Sequence, residues 1–113
     1  MHELSIAQDL VAAALQDMHE HGAEKVFKIQ LEVGVMSGVV KECLEFVFPE
    51  ACKDSPLQGC ELEIKMIPLE IQCKSCTKII ICDDINLFCH FCHSSQVEIL
   101  KGKELLIRSM EVL

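Results

Sequence analysis

Tryptophan and tyrosine are missing from this chain of 113 residues, and arginine occurs once, at Arg108. Lys and Arg together number ten against eighteen Asp and Glu, a formal net charge of -8. A nucleic-acid surface needs clustered cations for the phosphates and aromatic platforms for the bases. Neither is available here: the nine Lys and one Arg are scattered among the carboxylates, and the five Phe mostly fall in core-like patterns. Also missing is any apolar run of about eighteen residues, so no helix is expected to span a membrane. The first apolar stretch carries Glu3, Gln8 and Asp9 and offers no cleavage-like site. The expectation is therefore a cytoplasmic protein whose thiols stay reduced. No phosphate loop and no Ser-His-Asp order is found, and no Cys-His pair has a plausible oxyanion partner, which argues against an enzyme.

Cysteine, by contrast, is abundant, with eight residues. Four stand in two C-x-x-C pairs, Cys73 with Cys76 and Cys89 with Cys92, separated by residues 77–88. Two such pairs brought together present four sulfurs tetrahedrally to one ion, which is the pattern of a structural zinc site. Four thiolates leave no open position, so this zinc would not be catalytic. The connection is long enough for a small hairpin. Cys43, Cys52 and Cys60 fall at ordinary core or strand positions, and Cys82 is a spare thiol near the block. A formal haem-attachment motif, Cys89-His90-Phe91-Cys92-His93, lacks the export signal that such chemistry requires. His90 and His93 are better placed beside the zinc, although either is a competent alternative ligand.

Around the cysteine block the pattern is α/β. Ile6, Leu10, Val11, Ala14, Leu15 and Met18 recur at helical spacing over residues 4–21, and Gly22 follows as a stop. Residues 26–33 alternate, with Phe27, Ile29, Leu31 and Val33 on one side. A second helix over residues 39–53 has Leu44, Val47, Phe48 and Ala51 inward, with Pro49 expected to kink or split it. Strands follow at residues 60–67, with Leu62, Ile64 and Met66 on one face, and at 104–113, where Leu106, Met110 and Val112 share a face. The expected architecture is two helices packed on a small three-stranded sheet, with an inserted zinc-ribbon-like module. Residues 1–68 and 97–113 form the α/β domain and 69–96 the insert.

The chain opens Met1-His2-Glu3. A bulky second residue generally blocks removal of the initiator methionine, which leaves the free amine on Met1. That amine, the deprotonated His2 amide and the His2 imidazole would close a five- and a six-membered ring on one ion. Three in-plane nitrogens favour a square-planar metal, nickel or copper, over tetrahedral zinc. Water, the Glu3 carboxylate or a distant histidine supplies the fourth corner. His19 and His21 are assigned to the helix dipole at the end of the first helix.

Met1-His2-Glu3-Leu4-Ser5, an early amphipathic helix, a strand ending at Gly34, a late insert with paired C-x-x-C motifs and the tail Ser109-Met110-Glu111-Val112 closely resemble the HypA/HybF family. These are nickel metallochaperones of [NiFe]-hydrogenase maturation, and the resemblance covers essentially the whole chain. It implies that His2 carries nickel as cargo and that Cys73, Cys76, Cys89 and Cys92 hold structural zinc. It further implies a HypB-type GTPase and the hydrogenase large subunit as partners, with urease maturation proteins as further candidates and a monomer or homodimer as the assembly. The competing function is a zinc-ribbon adaptor that binds protein without transferring nickel. An iron protein resembling rubredoxin is a third.

Overall fold

The computed structural model describes residues 3–113 of the chain. Helix α1, Glu3–Glu20, buries Ala7, Leu10, Val11, Ala14 and Met18, a stripe at three- and four-residue steps. Ile6 and Leu15 flank that stripe half-buried. Gly22 ends the helix as the sequence predicts. Its φ of 67° lies in the left-handed region, where its own amide reaches the His19 carbonyl at 3.2 Å and the Ala23 amide reaches Met18 at 2.9 Å. This pair of bonds is the Schellman arrangement, which satisfies carbonyls left over at a helix end.

Strand β1, Val26–Gly34, buries Ile29, Leu31 and Val33 on the expected side. Phe27, placed with them by the alternation, is instead 45 % exposed, while its neighbour Val26 is fully buried. The Phe27 ring lies 5.8 Å from the Lys25 ammonium. Helix α2, Lys41–Cys52, runs through Pro49 as one element. Pro49 does not split it: the ring deprives the Glu45 carbonyl of its helical donor, but Leu44 and Phe48 before it and Cys52 after it are all buried and carry the helix through. Leu44, Phe48 and Cys52 form its buried stripe at four-residue steps, with Val47 and Ala51 half-buried beside them. Helices α1 and α2 pack on each other. Burying a Leu or Phe of this kind stabilises the fold by about 1.5–3 kcal/mol. In the following loop, fully buried Leu57 is held by Ser55, whose Oγ donates to the Cys52 carbonyl at 2.6 Å and accepts from the Leu57 amide at 3.1 Å.

Strand β2, Glu61–Ile67, is followed by β3, Leu69–Cys73, β4, Ile79–Cys82, β5, Val97–Lys101, and β6, Leu105–Val112. The fold is α+β, with two helices and two three-stranded sheets ordered β2-β1-β6 and β4-β3-β5. The first is the sheet that the alternating patterns anticipate. In β2, Leu62 and Ile64 are half-buried as expected, while Met66 is 37 % exposed. The second sheet was not anticipated, and residues 77–88 do not form a hairpin of their own. They instead return as β4, antiparallel to β3, with Ile71 opposite Ile80 and Leu69 opposite Cys82. On its other side β3 pairs antiparallel with β5, Cys73 opposite Val97, with an irregularity between Glu70 and Ile71.

By compactness the chain divides into two units. One comprises its described residues up to Leu31, with Val39–Lys65 and Leu106–Leu113; the other comprises Glu32–Gly38 and Met66–Leu105. The core of the second is small: Leu69, Ile71, Cys73, Ile80 and Cys89 are buried, with Val35, Met36, Cys76, Cys82, Val97 and Ile99 packed against them. Backbone contact extends this unit. The Gly34 amide donates to the Glu104 carbonyl and the Met36 amide to the Gly102 carbonyl, both at 2.7 Å.

Candidate metal centre

Each C-x-x-C pair is shaped by its own backbone before any ion is considered. In the first, the amides of Ser75 and Cys76 donate to Cys73 Sγ at 3.3 and 3.4 Å. In the second, those of Phe91 and Cys92 donate to Cys89 Sγ, both at 3.4 Å. The correspondence continues one residue further. Thr77 and His93 close their turns by donating to the carbonyls of Cys73 and Cys89, each at 2.9 Å, and both are left-handed, at φ 64° and 62°. Two copies of one knuckle thus face each other, tied by Ser75 Oγ and Ser94 Oγ at 3.2 Å and by the Lys74 amide on the Gln96 carbonyl at 2.8 Å.

The first knuckle sits in the turn between β3 and β4, and the second just precedes β5, so the sheet carries both sides of the cluster. All four sulfurs lie within 4.8 Å of one another. The shortest approaches join the two knuckles, Cys73 to Cys92 and Cys76 to Cys89, each 3.5 Å. An ion with metal–sulfur bonds of about 2.3 Å in a regular tetrahedron has sulfur–sulfur edges of about 3.8 Å. The observed range brackets that edge, so the four residues fit a tetrahedral ion. All four are free thiols, with Cys73 and Cys89 buried and Cys92 exposed.

Their acidities are split by the same geometry. The Cys76 amide, working against burial and helped by the Ser75 amide, holds Cys73 down at about 6. The Cys92 amide likewise lowers Cys89, again against burial and with help from Phe91. The second cysteine of each pair goes the other way. The Lys78 amide pulls Cys76 down, but burial and the sulfurs of Cys89 and Cys73 prevail and its pKa rises. At Cys92 the Ser94 amide is outweighed by Cys73, burial and the other two sulfurs. Cys73 is thus the sulfur readiest as thiolate, Cys89 is shifted the same way, and a metal must displace the protons that remain.

Among the described residues this is the sole cluster of three or more Cys, His, Asp or Glu ligand atoms close enough to hold an ion. His90 is turned to Asn86, with its Nε2 2.6 Å from Asn86 Nδ2 and its ring 5.7 Å from that of Phe88. His93 shapes the second knuckle through its backbone. Cys52 and Cys60 are away from the surface as expected, and burial pushes both thiols up, Cys52 to about 11. Cys43 is exposed on α2, not a core residue, because the buried stripe passes through Leu44 beside it. His2, the expected nickel ligand, lies outside the described residues. Sequence reasoning missed the repeated left-handed turn. Its signal is weak, because Thr and His stand where glycine would have marked the conformation.

A four-thiol cluster of tetrahedral fit on a small β module, carried in one chain with an α+β unit, defines a metal-binding protein. A family described as "Hydrogenase/urease nickel incorporation, metallochaperone, hypA" matches residues 1–112. Among curated relatives, the hydrogenase maturation factor HypA of Chlorobaculum parvum is 36 % identical over 112 residues, covering 99 % of both chains. The maturation factor HybF of Salmonella typhimurium is 33 % identical over 112 residues, also covering 99 % of both. The solution structure of the Ni metallochaperone HypA from Helicobacter pylori superposes with a TM-score of 0.74 at 26 % identity, covering 100 % of this chain and 98 % of that one. The chain belongs to the HypA family of nickel-incorporation metallochaperones in hydrogenase maturation.

Proposed function

We propose that this protein carries nickel to the maturing [NiFe]-hydrogenase, with zinc as its resident ion. The observation that carries the reading is the family match over residues 1–112 together with an intact four-cysteine cluster. Cys73, Cys76, Cys89 and Cys92 hold Zn2+ in the unit comprising Glu32–Gly38 and Met66–Leu105. Borderline-soft zinc suits four sulfurs and needs no redox chemistry. Because that site is closed, the cargo is bound elsewhere, by the Met1 amine, the His2 amide and the His2 imidazole. Such a set favours nickel over zinc, and its vacant or weakly held fourth corner allows transfer by ligand exchange. Acceptors are a HypB-type GTPase and the hydrogenase large subunit, in the cytoplasm, where the thiols stay reduced. The alternative adaptor function predicts one zinc and no nickel.

Calorimetric titration with nickel of the zinc-loaded protein tests this. His2→Ala removes a ligand and the six-membered ring, so affinity should fall sharply with zinc content unchanged. One residue added before Met1 converts the primary amine to a peptide nitrogen and should weaken binding too. Equal affinities in all three proteins would leave the adaptor.

A further inference from the structure

An outer strand of a sheet exposes a row of unpaired amides and carbonyls, and proteins usually guard it with charge. Three of the four outer strands here are guarded in that way: β2 by Glu61, Glu63 and Lys65, β6 by Arg108 and Glu111, and β5 by Glu98 and Lys101. Strand β4, the outer strand beside β3, reads Ile79-Ile80-Ile81-Cys82 and carries no charge. Ile79 is 53 % and Ile81 64 % exposed, whereas Ile80 faces the small core.

The ladder identifies which backbone groups of β4 point outward. The Cys73 amide bonds the Lys78 carbonyl at 3.0 Å, which turns residue 78, and with it 80 and 82, toward β3. By the alternation of an antiparallel pair, the amides and carbonyls of Ile79, Ile81 and Asp83 face away from it. We propose that β4 is a homodimer interface, in which two copies pair antiparallel through this edge about a two-fold axis at Ile81.

An axis normal to the sheet keeps each copy's core face on the same side, which restricts the register to pairs of equal parity. Centring on Ile81 brings the outward groups into register: Ile81 exchanges both bonds with Ile81 of the other copy, and Ile79 meets Asp83. The same register sets Lys78 level with Asp84 just past the end of the opposing strand, so each end of the interface joins opposite charges. Centring on Ile80 would also join outward groups, Ile79 with Ile81, but it would set Lys78 level with Cys82 and leave Asp83 and Asp84 without an opposing cation, so the charges select Ile81. The charge pattern Lys78 before the strand and Asp83-Asp84 after it is thus self-complementary for antiparallel pairing. A foreign strand would need to reproduce it. Four residues make a small interface, so the dimer is weak and concentration-dependent.

The test is sedimentation velocity of the full-length, metal-loaded protein over a range of concentrations, combined with amide exchange. Dimerisation should appear with rising concentration, and the amides of Ile79, Ile81 and Asp83 should then slow while those of Ile80 and Cys82 stay as they are. Ile81→Asp and Ile81→Pro should each weaken the dimer by about tenfold or more. The proline deletes only an outward N–H, which an edge strand tolerates. Lys78→Asp should weaken it as well, and adding Asp84→Lys should restore it. A monomer at all concentrations, a dimer indifferent to Ile81→Pro, or protection falling on Ile80 and Cys82 would each overturn the proposal. The exchange pattern is read on the unaltered chain, so misfolding of a variant cannot obscure it.

Discussion

Gly34 and Gly102 meet backbone to backbone, so closely that a Cβ placed on Gly34 would lie 2.1 Å from the Gly102 carbonyl oxygen. Nothing flexible stands there to yield. Gly34→Ala should therefore cost more than the about 1–3 kcal/mol usual for overpacking. Gly102, at φ 122° with Leu69 Cα 3.1 Å from its added Cβ, is a milder case. Urea unfolding of Gly34→Ala and Gly102→Ala should rank them in that order.

Phe46 and Phe48 are one turn-fragment apart on α2 and opposite in environment, 85 % and 2 % exposed. Phe48→Ala should lose about 3–5 kcal/mol, the range for emptying an aromatic core site. Phe46→Ala should stay within about 0.5 kcal/mol. Thermal unfolding of the two variants, same chemistry and same helix, isolates burial as the cause.

Removing one sulfur should open the metal centre without undoing the helices. Cys76→Ala should lower zinc affinity by more than about a hundredfold, a larger loss than an outer-shell partner gives. Amide exchange should quicken at Ile71 and Ile80, whose small core depends on the staple, and hold in α1 and α2. Stoichiometric zinc with an unchanged sulfur coordination number by X-ray absorption would sink the assignment.

His21 offers a pH-dependent contact at the end of α1. Its Nδ1 lies 2.8 Å from the Asp17 carbonyl and 3.7 Å from the Asp17 carboxylate. The carbonyl first and the carboxylate second raise its pKa from the ordinary 6.5. A raised folded value means that the contact contributes fully below pH 6.5 and is lost as pH climbs through the folded pKa. NMR titration should find His21 above 6.5. Asp17→Asn should lower the value only in part, since the carbonyl remains.

Where apolar period matched element length, the chain was legible. The stripe of α1, Gly22 as its stop and Ile29, Leu31 and Val33 of β1 follow directly from spacing. Phe27 failed because alternation gives the side of a strand and not how far cover extends along it. The second sheet was hidden for another reason: β3 to β5 are four or five residues long, and Ile79-Ile80-Ile81 has no alternation to read. The cysteine spacing announced the metal centre but not its cross-paired sulfurs, since those depend on how two turns fold against each other. Pro49 shows the converse, a breaker overridden by the burial of Phe48 and Cys52 on either side of it.

The matched turns at Thr77 and His93 mean that the chain itself aims the sulfurs. Amides already grip Cys73 and Cys89, and the sheet already sets the knuckles face to face. The turns thus set the directions of the sulfurs, and an ion that fits them completes the small core they enclose. Such a geometry discriminates by shape: an ion that prefers a flat arrangement would have to deform both turns to be held there.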